Sequence, residues 1–235
     1  MEQEKLKEHV ENIIKIAFEK LQSAYNNNNE FQPQNPVEIG ETRLAFPAYY
    51  EDGKLKKIRI SEQELRFAFV EAFNQYCNST KDCNLFYSVE TPTMDKYSGF
   101  SNKNDEPKID INGRSAEFDL VIFDDNLKRI CLIEFKANNA DKQDHWKDFV
   151  KLNNKNEGGQ EVLRYFIEVI KSYTEGSEKT TVGSLTEGSE KTTVGSLKDK
   201  IEKKGETIFR CYALEGKSSR KQDQQIKGED ISEKF

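Results

Sequence analysis

Two short apolar runs lie close together near the middle of the chain, and each carries an acid where a buried strand should have none. Residues 116–123 include Phe118, Leu120, Val121, Ile122 and Phe123, and residues 130–136 include Ile130, Leu132, Ile133 and Phe135. Asp124-Asp125-Asn126 supplies a turn between them, so the pair reads as a hairpin of two largely buried strands. Asp119 interrupts the first run, and Glu134 and Lys136 interrupt the second. Alternation along a strand puts Glu134 and Lys136 on one face and Phe135 on the other. The hairpin then brings Asp119 beside Glu134. Two carboxylates and an ammonium at the edge of a buried sheet are costly unless they pair or bind a metal.

An ion pair on an exposed strand edge would explain Glu134 and Lys136 if their strand alternated polar with apolar residues. It does not, because Ile130, Leu132, Ile133 and Phe135 leave few positions for solvent. Two adjacent carboxylates form a hard, oxygen-rich site suited to Mg²⁺ or Mn²⁺. Such an ion lowers the pKa of a bound water and clamps phosphate oxygens. A lysine two residues along the strand can orient that water or stabilise charge on the phosphate. The chemistry implied is phosphodiester hydrolysis.

The flanking elements follow from periodicity and caps. Leu6, Val10, Ile13, Ile14, Ala17, Phe18 and Leu21 predict one helix over residues 4–25. Residues 43–50 read as a short strand, with a turn at Asp52-Gly53. Ser61 and Glu64 make a capping box for a helix running to about Cys77. A strand is expected over 85–90 and an extended loop over 91–113. Helices are expected over 142–152 and 160–173, and a last strand over 207–214. Residues 174–185 read TEGSEKTTVGSL, and residues 186–197 repeat them without change. A two-unit repeat cannot bury a core of its own, so both copies are expected in an exposed excursion.

In its motif and element order the chain resembles the PD-(D/E)xK nuclease superfamily. The matching residues are Asp119 and, after fourteen intervening residues, Glu134-Phe135-Lys136, although Phe118 stands where the motif's proline would be. The resemblance covers residues 60–215. It implies an α/β fold with a restriction-endonuclease-like core (αβββαβ): a central mixed sheet of about four strands flanked by helices, here with an N-terminal helical extension. It implies that Asp119 and Glu134 bind Mg²⁺ or Mn²⁺ and that Lys136 assists catalysis. Members often add a glutamate from the first core helix. Glu64 is the favoured residue, with Glu71 the alternative, although the capping box alone accounts for Glu64. The expected partner is nucleic acid, with DNA favoured over RNA in a defence or repair setting, and a homodimer is left open. The competing expectation is a catalytically silent nuclease-fold module for binding or regulation.

Other residues near the motif have plainer readings. Glu117 shares the strand face of Asp119 and reads as a surface residue or a support to the site. Glu90 ends the first core strand and reads as solvated. His145 is placed on the polar side of its helix, opposite Trp146 and Phe149. Gln160 and Tyr165 are weak candidates for substrate contact. Lys142, Lys147 and Lys151 recur on one helix side, as a solvated face or a phosphate-facing stripe.

Composition narrows the class. The 235 residues suit one domain with additions, divided as an extension at 1–60, a core at 61–215 containing the excursion at 174–197, and a polar tail at 216–235. A formal net charge of −6 disfavours a passive nucleic-acid binder more than a metal-dependent enzyme. Cys77, Cys83, Cys131 and Cys211 match no zinc pattern and are expected as reduced thiols of a cytoplasmic protein. No segment reads as a signal peptide or a membrane span.

Overall fold

The computed structural model describes residues 2–30, 42–52, 54–100, 105–138, 140–159, 161–175, 191–216 and 226–235. In chain order its elements are α1 (Gln3–Glu30), β1 (Ala48–Glu51), β2 (Lys54–Ile58), α2 (Glu62–Ser79), β3 (Phe86–Ser98), β4 (Lys108–Ile109), β5 (Arg114–Phe123) and β6 (Arg129–Ala137). There follow α3 (Lys142–Leu152), β7 (Leu163–Thr174), β8 (Lys191–Thr193), α4 (Val194–Lys200), β9 (Ile208–Glu215) and β10 (Glu229–Asp230). The result is a mixed α/β fold around one central sheet of eight strands, twice the number expected. Its order is β10-β9-β7-β6-β5-β3-β4, with β8 beside the end of β7. β3, β5 and β6 pair antiparallel, whereas β6, β7 and β9 pair parallel. A parallel neighbour cannot be reached by a tight turn, and α3 lies in the crossover from β6 to β7.

Helices cover both faces. One apolar cluster joins α1 and α2 to Leu120, Ile122, Ile133, Phe135, Tyr165 and Ile167. The other joins α3 and α4 to Val121, Leu132, Phe166, Ile170 and Phe209. Alternation along β6 therefore points Ile133 and Phe135 at α1 and α2, and sends Leu132, Glu134 and Lys136 toward α3.

The main correction to the sequence reading is β7. Residues 160–173 were expected as a helix, but Leu163–Thr174 is a central strand. Leu163–Ile170 is buried without interruption, because helices cover the sheet on both sides. A strand buried on both faces shows no polar–apolar alternation, and its apolar run then mimics a helix. The loop expected over 91–113 is also partly strand: β3 continues to Ser98 and pairs with β4. The polar tail returns to the sheet, since β10 pairs with β9 and Ile231 is buried.

The expectation of four reduced thiols changes for one pair. Cys77 and Cys83 are joined by a disulfide across the turn that ends α2, with Cα atoms 5.0 Å apart. Cys131 and Cys211 are free and buried. Among the described residues, no helix is long and apolar enough to cross a membrane.

The second repeat copy is not wholly an exposed excursion. Its Lys191–Thr193 forms β8 against Ser172–Thr174, Thr193 caps α4 by accepting from the Ser196 N–H, and Leu197 is buried. Most of the first copy lies outside the described residues. Sixteen residues connect Thr174 to Lys191, and removing residues 175–186 leaves Glu-Gly-Ser-Glu followed by an intact docking segment. Shortening a loop fourfold lowers its closure cost by about 1 kcal/mol, but β8 runs parallel to β7 and four residues are too few for a parallel return. The deletion is therefore expected to free β8 and to lower the melting temperature by about 2–4 °C. An unchanged or raised melting temperature in differential scanning calorimetry would show that the β8 pairing adds no stability.

Candidate active site

The ladder between β5 and β6 runs from Phe123↔Arg129 to Leu120↔Ile133 and then stops. Beyond that point the strands part. The Phe135 N–H donates to Asp119 Oδ2 at 2.8 Å, so a side-chain carboxylate stands in for a backbone acceptor. The other edge of β5 is interrupted at the same level. Val89↔Leu120 and Thr91↔Phe118 are paired, but Glu90 between them adopts φ 50° to the nearest ten degrees (49°) and leaves the ladder. A non-glycine residue with positive φ is uncommon and costs on the order of 1 kcal/mol. Asp119 thus sits at a split in the sheet that side chains from both helical layers reach.

From one layer, α2 supplies Arg66 and Glu62. Arg66 Nη2 donates to Asp119 Oδ1 at 2.7 Å, and its Nη1 donates to Glu90 Oε1 at 2.9 Å. Glu62 Oε1 lies 3.3 Å from Lys136 Nζ. From the other layer, α3 supplies Asp148 and Lys151. Lys136 Nζ lies 2.8 Å from Asp148 Oδ2. Lys151 Nζ lies 2.6 Å from Glu134 Oε1 and 3.0 Å from Asp148 Oδ1, and it donates to the Glu117 carbonyl at 2.8 Å. Glu134, Lys136, Asp148 and Lys151 are all buried.

The electrostatics follow from that burial. Glu134 is pushed well above the usual carboxylate range, first by burial and then by the charge of Asp148, with Asp119 adding to the effect. Burial also raises Glu62, and Asp119 and Asp148 push the same way. Burial opposes the charge of Asp148, yet Lys151 and Lys136 outweigh it and hold that carboxyl down at about 2. Burial likewise opposes the ammonium groups of Lys136 and Lys151, and the surrounding carboxylates more than compensate. Asp119 and Glu134 therefore share one electrostatic neighbourhood, as the hairpin pattern predicted.

The helix glutamate is where the expectation and the structure part. Glu64 Oε2 accepts from the Ser61 N–H at 2.9 Å and from the Ser61 hydroxyl, and its Oε1 lies 3.9 Å from Arg59. It is occupied as a helix cap. Glu71 accepts from Lys20 and Thr42, which ties α2 to its neighbours away from the split. The glutamate that reaches the cluster is Glu62, the first residue of the helix, which sequence reasoning passed over. Asp148 was also missed. Lys151 was recognised only as one of three lysines on a helix side, but the three diverge: Lys142 pairs with Glu202, Lys147 pairs with Asp144, and Lys151 turns inward.

His145 and Tyr165 are structural. His145 is fully buried rather than on the polar side of α3; it stacks on Phe166 and meets Glu168 Oε2 at 3.0 Å. Tyr165 is buried on the opposite face of the sheet, with its hydroxyl donating to Glu11. Gln160 lies outside the described residues.

Among the described residues, no three His, Cys, Asp or Glu side chains converge as a preformed metal cage, and a cationic side chain stands beside each acid. The donor set nevertheless fits a hard divalent ion. Asp119, Glu134, Asp148 and Glu62 are all oxygen donors, and the buried Glu134 Oε1 and Asp148 Oδ2 are met by side-chain ammonium groups, with no backbone N–H of the described residues beside them. No family model, curated protein or solved structure matches the chain.

The ion network makes a stability prediction. Asp148 is held below its ordinary carboxylate value, so its stabilisation is complete above about pH 4 and is lost as pH falls toward 2. A shift of this size is worth about 2 kcal/mol. Urea denaturation is expected to show Asp148→Asn less stable than the wild type at pH 6, with the gap closing between pH 4 and 2. A gap that stayed constant with pH would contradict an ionised Asp148 at the centre of the network.

Proposed function

We propose that the protein is a metal-dependent nuclease with a restriction-endonuclease-like core, hydrolysing phosphodiester bonds of nucleic acid, with DNA the favoured substrate. The observation that carries this reading is the split between β5 and β6, where Asp119 reaches across to the Phe135 N–H, Glu134 and Lys136 flank that residue on β6, and Glu62 of α2 pairs with Lys136. Asp119 and Glu134, with Glu62 beside them, would hold Mg²⁺ or Mn²⁺. Such an ion supplies Lewis-acid polarisation of a phosphodiester and makes a water more acidic. Asp119 is oriented by the Phe135 N–H, so its carboxylate is aimed without dependence on any ion. Lys136 carries a fixed positive charge, steadied by Asp148 and Glu62, that can orient the attacking water and offset charge building on the phosphate.

One observation favours a second reading, a catalytically silent module for binding or regulation. Arg66, Lys136 and Lys151 already stand beside the acids, so the cluster is electrostatically supported without a metal. Melting temperature separates the two, because an ion that binds only the folded state raises it.

Linear, nicked and single-stranded DNA, and RNA, incubated with the protein and Mg²⁺ or Mn²⁺, should reveal cleavage. Lys136→Gln is expected to lower the rate by roughly 10²–10³-fold. Glu62→Gln should lower it and Glu64→Gln should not, with circular dichroism confirming that each variant folds. No cleavage of any substrate, together with a melting temperature indifferent to both ions, would favour the silent module.

A further inference from the structure

The α3 side of Glu134 is built like a cation site with its cation already in place. Three oxygens surround Lys151 Nζ: Glu134 Oε1 at 2.6 Å, the Glu117 carbonyl at 2.8 Å and Asp148 Oδ1 at 3.0 Å. Two of these oxygens belong to buried carboxylates and the third to the backbone of β5. Among the described residues, the Lys151 ammonium is the one close partner of the buried Glu134 Oε1, at 2.6 Å. Hard oxygens gathered around one positive centre are the surroundings a divalent ion requires.

Many phosphodiester-cleaving sites hold two divalent ions about 4 Å apart, clamping the attacking and leaving oxygens. Glu134 is the residue a pair of ions would share here, since it lies between Ile133, paired with Leu120, and Phe135, bonded to Asp119, and it shares the Lys151 ammonium with Asp148. One of those two places is taken by Lys151, whose side chain is almost wholly buried. Its ammonium is anchored by a neutral backbone carbonyl as well as by acids, so it does not depend on Glu134 alone to remain.

We propose that Lys151 is a resident cation filling the second ion position, so that the site takes one divalent ion, between Asp119, Glu134 and Glu62, rather than two. The proposal rests on the nuclease reading for the first position only. It makes Lys151 a positioning residue: it holds Glu134 in place and leaves Arg66 as the one cation a divalent ion would displace at Asp119. It also assigns Asp148 the task of anchoring both Lys151 and Lys136, from the two oxygens of a single carboxylate.

Counting bound Mn²⁺ tests this without reference to cleavage. The full chain is titrated with Mn²⁺, and bound ion per chain is read by electron paramagnetic resonance and by calorimetry. The wild type is expected to bind one ion. Lys151→Ala, which empties the oxygen cage, is expected to bind two, whereas Lys151→Arg keeps the charge and should bind one. Two ions on the wild type would overturn the proposal, and this result alone suffices if Lys151→Ala fails to fold. One ion on the wild type and still one on a folded Lys151→Ala would also overturn it, because the emptied cage would then have no affinity for a cation. No ion on the wild type would instead remove the metal site of the nuclease reading, a different failure.

Discussion

The chain of alternating charges from Glu134 to Lys151 to Asp148 to Lys136 holds the two halves of the site in register. Each of these groups is buried, and burying an unpaired charge costs several kcal/mol. That cost is offset only where opposite charges alternate at close range. The spacing makes alternation possible. Glu134 and Lys136 are two strand residues apart, about 7 Å, and Asp148 and Lys151 are one helical turn apart, about 5 Å. The strand carries acid then base, and the helix meets them with base and acid. The apolar contacts of Phe149 and Leu152 would tolerate a small slide of α3 along the sheet, but the charges would not. Removing one partner leaves the others buried and unpaired, the costly case for such networks.

This chain of charges depends in turn on the opening between β5 and β6. A continuous ladder would have paired Phe135 with a backbone carbonyl and closed the gap through which α2 side chains reach Lys136. Instead Asp119 takes that N–H, and the backbone remains satisfied while the strands part. The neighbouring strand is fixed independently. Glu157, in the turn after α3, is fully buried and accepts from the Met94 and Asp95 N–H groups, the Tyr97 hydroxyl and Arg129. It grips β3 where its register against β5 shifts, between Pro92 and Lys96. One side of the opening is therefore held by Asp119 and the far edge by Glu157, so the split is a built feature with no unsatisfied ladder groups at Phe135.

How much of this was legible in the sequence depended on how local each signal was. The hairpin, the inward pair Glu134 and Lys136, the position of α3 and the Ser61–Glu64 cap follow from spacings of a few residues, and all are present. The cap also misdirected the search. It marks Glu64 as the noteworthy glutamate, but its side chain folds back to Ser61, leaving Glu62 two residues earlier to face Lys136. Lys151 and Asp148 look like ordinary helix-surface charges because a helix pattern does not say what lies opposite. β7 was misread for the converse reason: with both faces covered, it has no polar side to reveal a two-residue period. The eight-stranded width is a sum of short, distant pairings, such as β10 with β9, that no local window contains.

A divalent ion of the kind proposed would meet this network of charges unevenly. The acids Asp119 and Glu134 are carried on strands, with short stems and neighbours locked on both sides, and Asp119 is further pinned by a backbone N–H. The cation beside Asp119, Arg66, sits at the end of a long stem whose rotamer is costly to order and easy to change. An arriving divalent ion would find its oxygens fixed and its competitor movable at Asp119, where Arg66 is shared with the exposed Glu90 and has somewhere else to go. Lys151 lacks that freedom, being enclosed by Glu134, Asp148 and the Glu117 carbonyl. The same network is thus displaceable on its Asp119 side and permanent on its α3 side, and that difference follows from which helix delivers each cation.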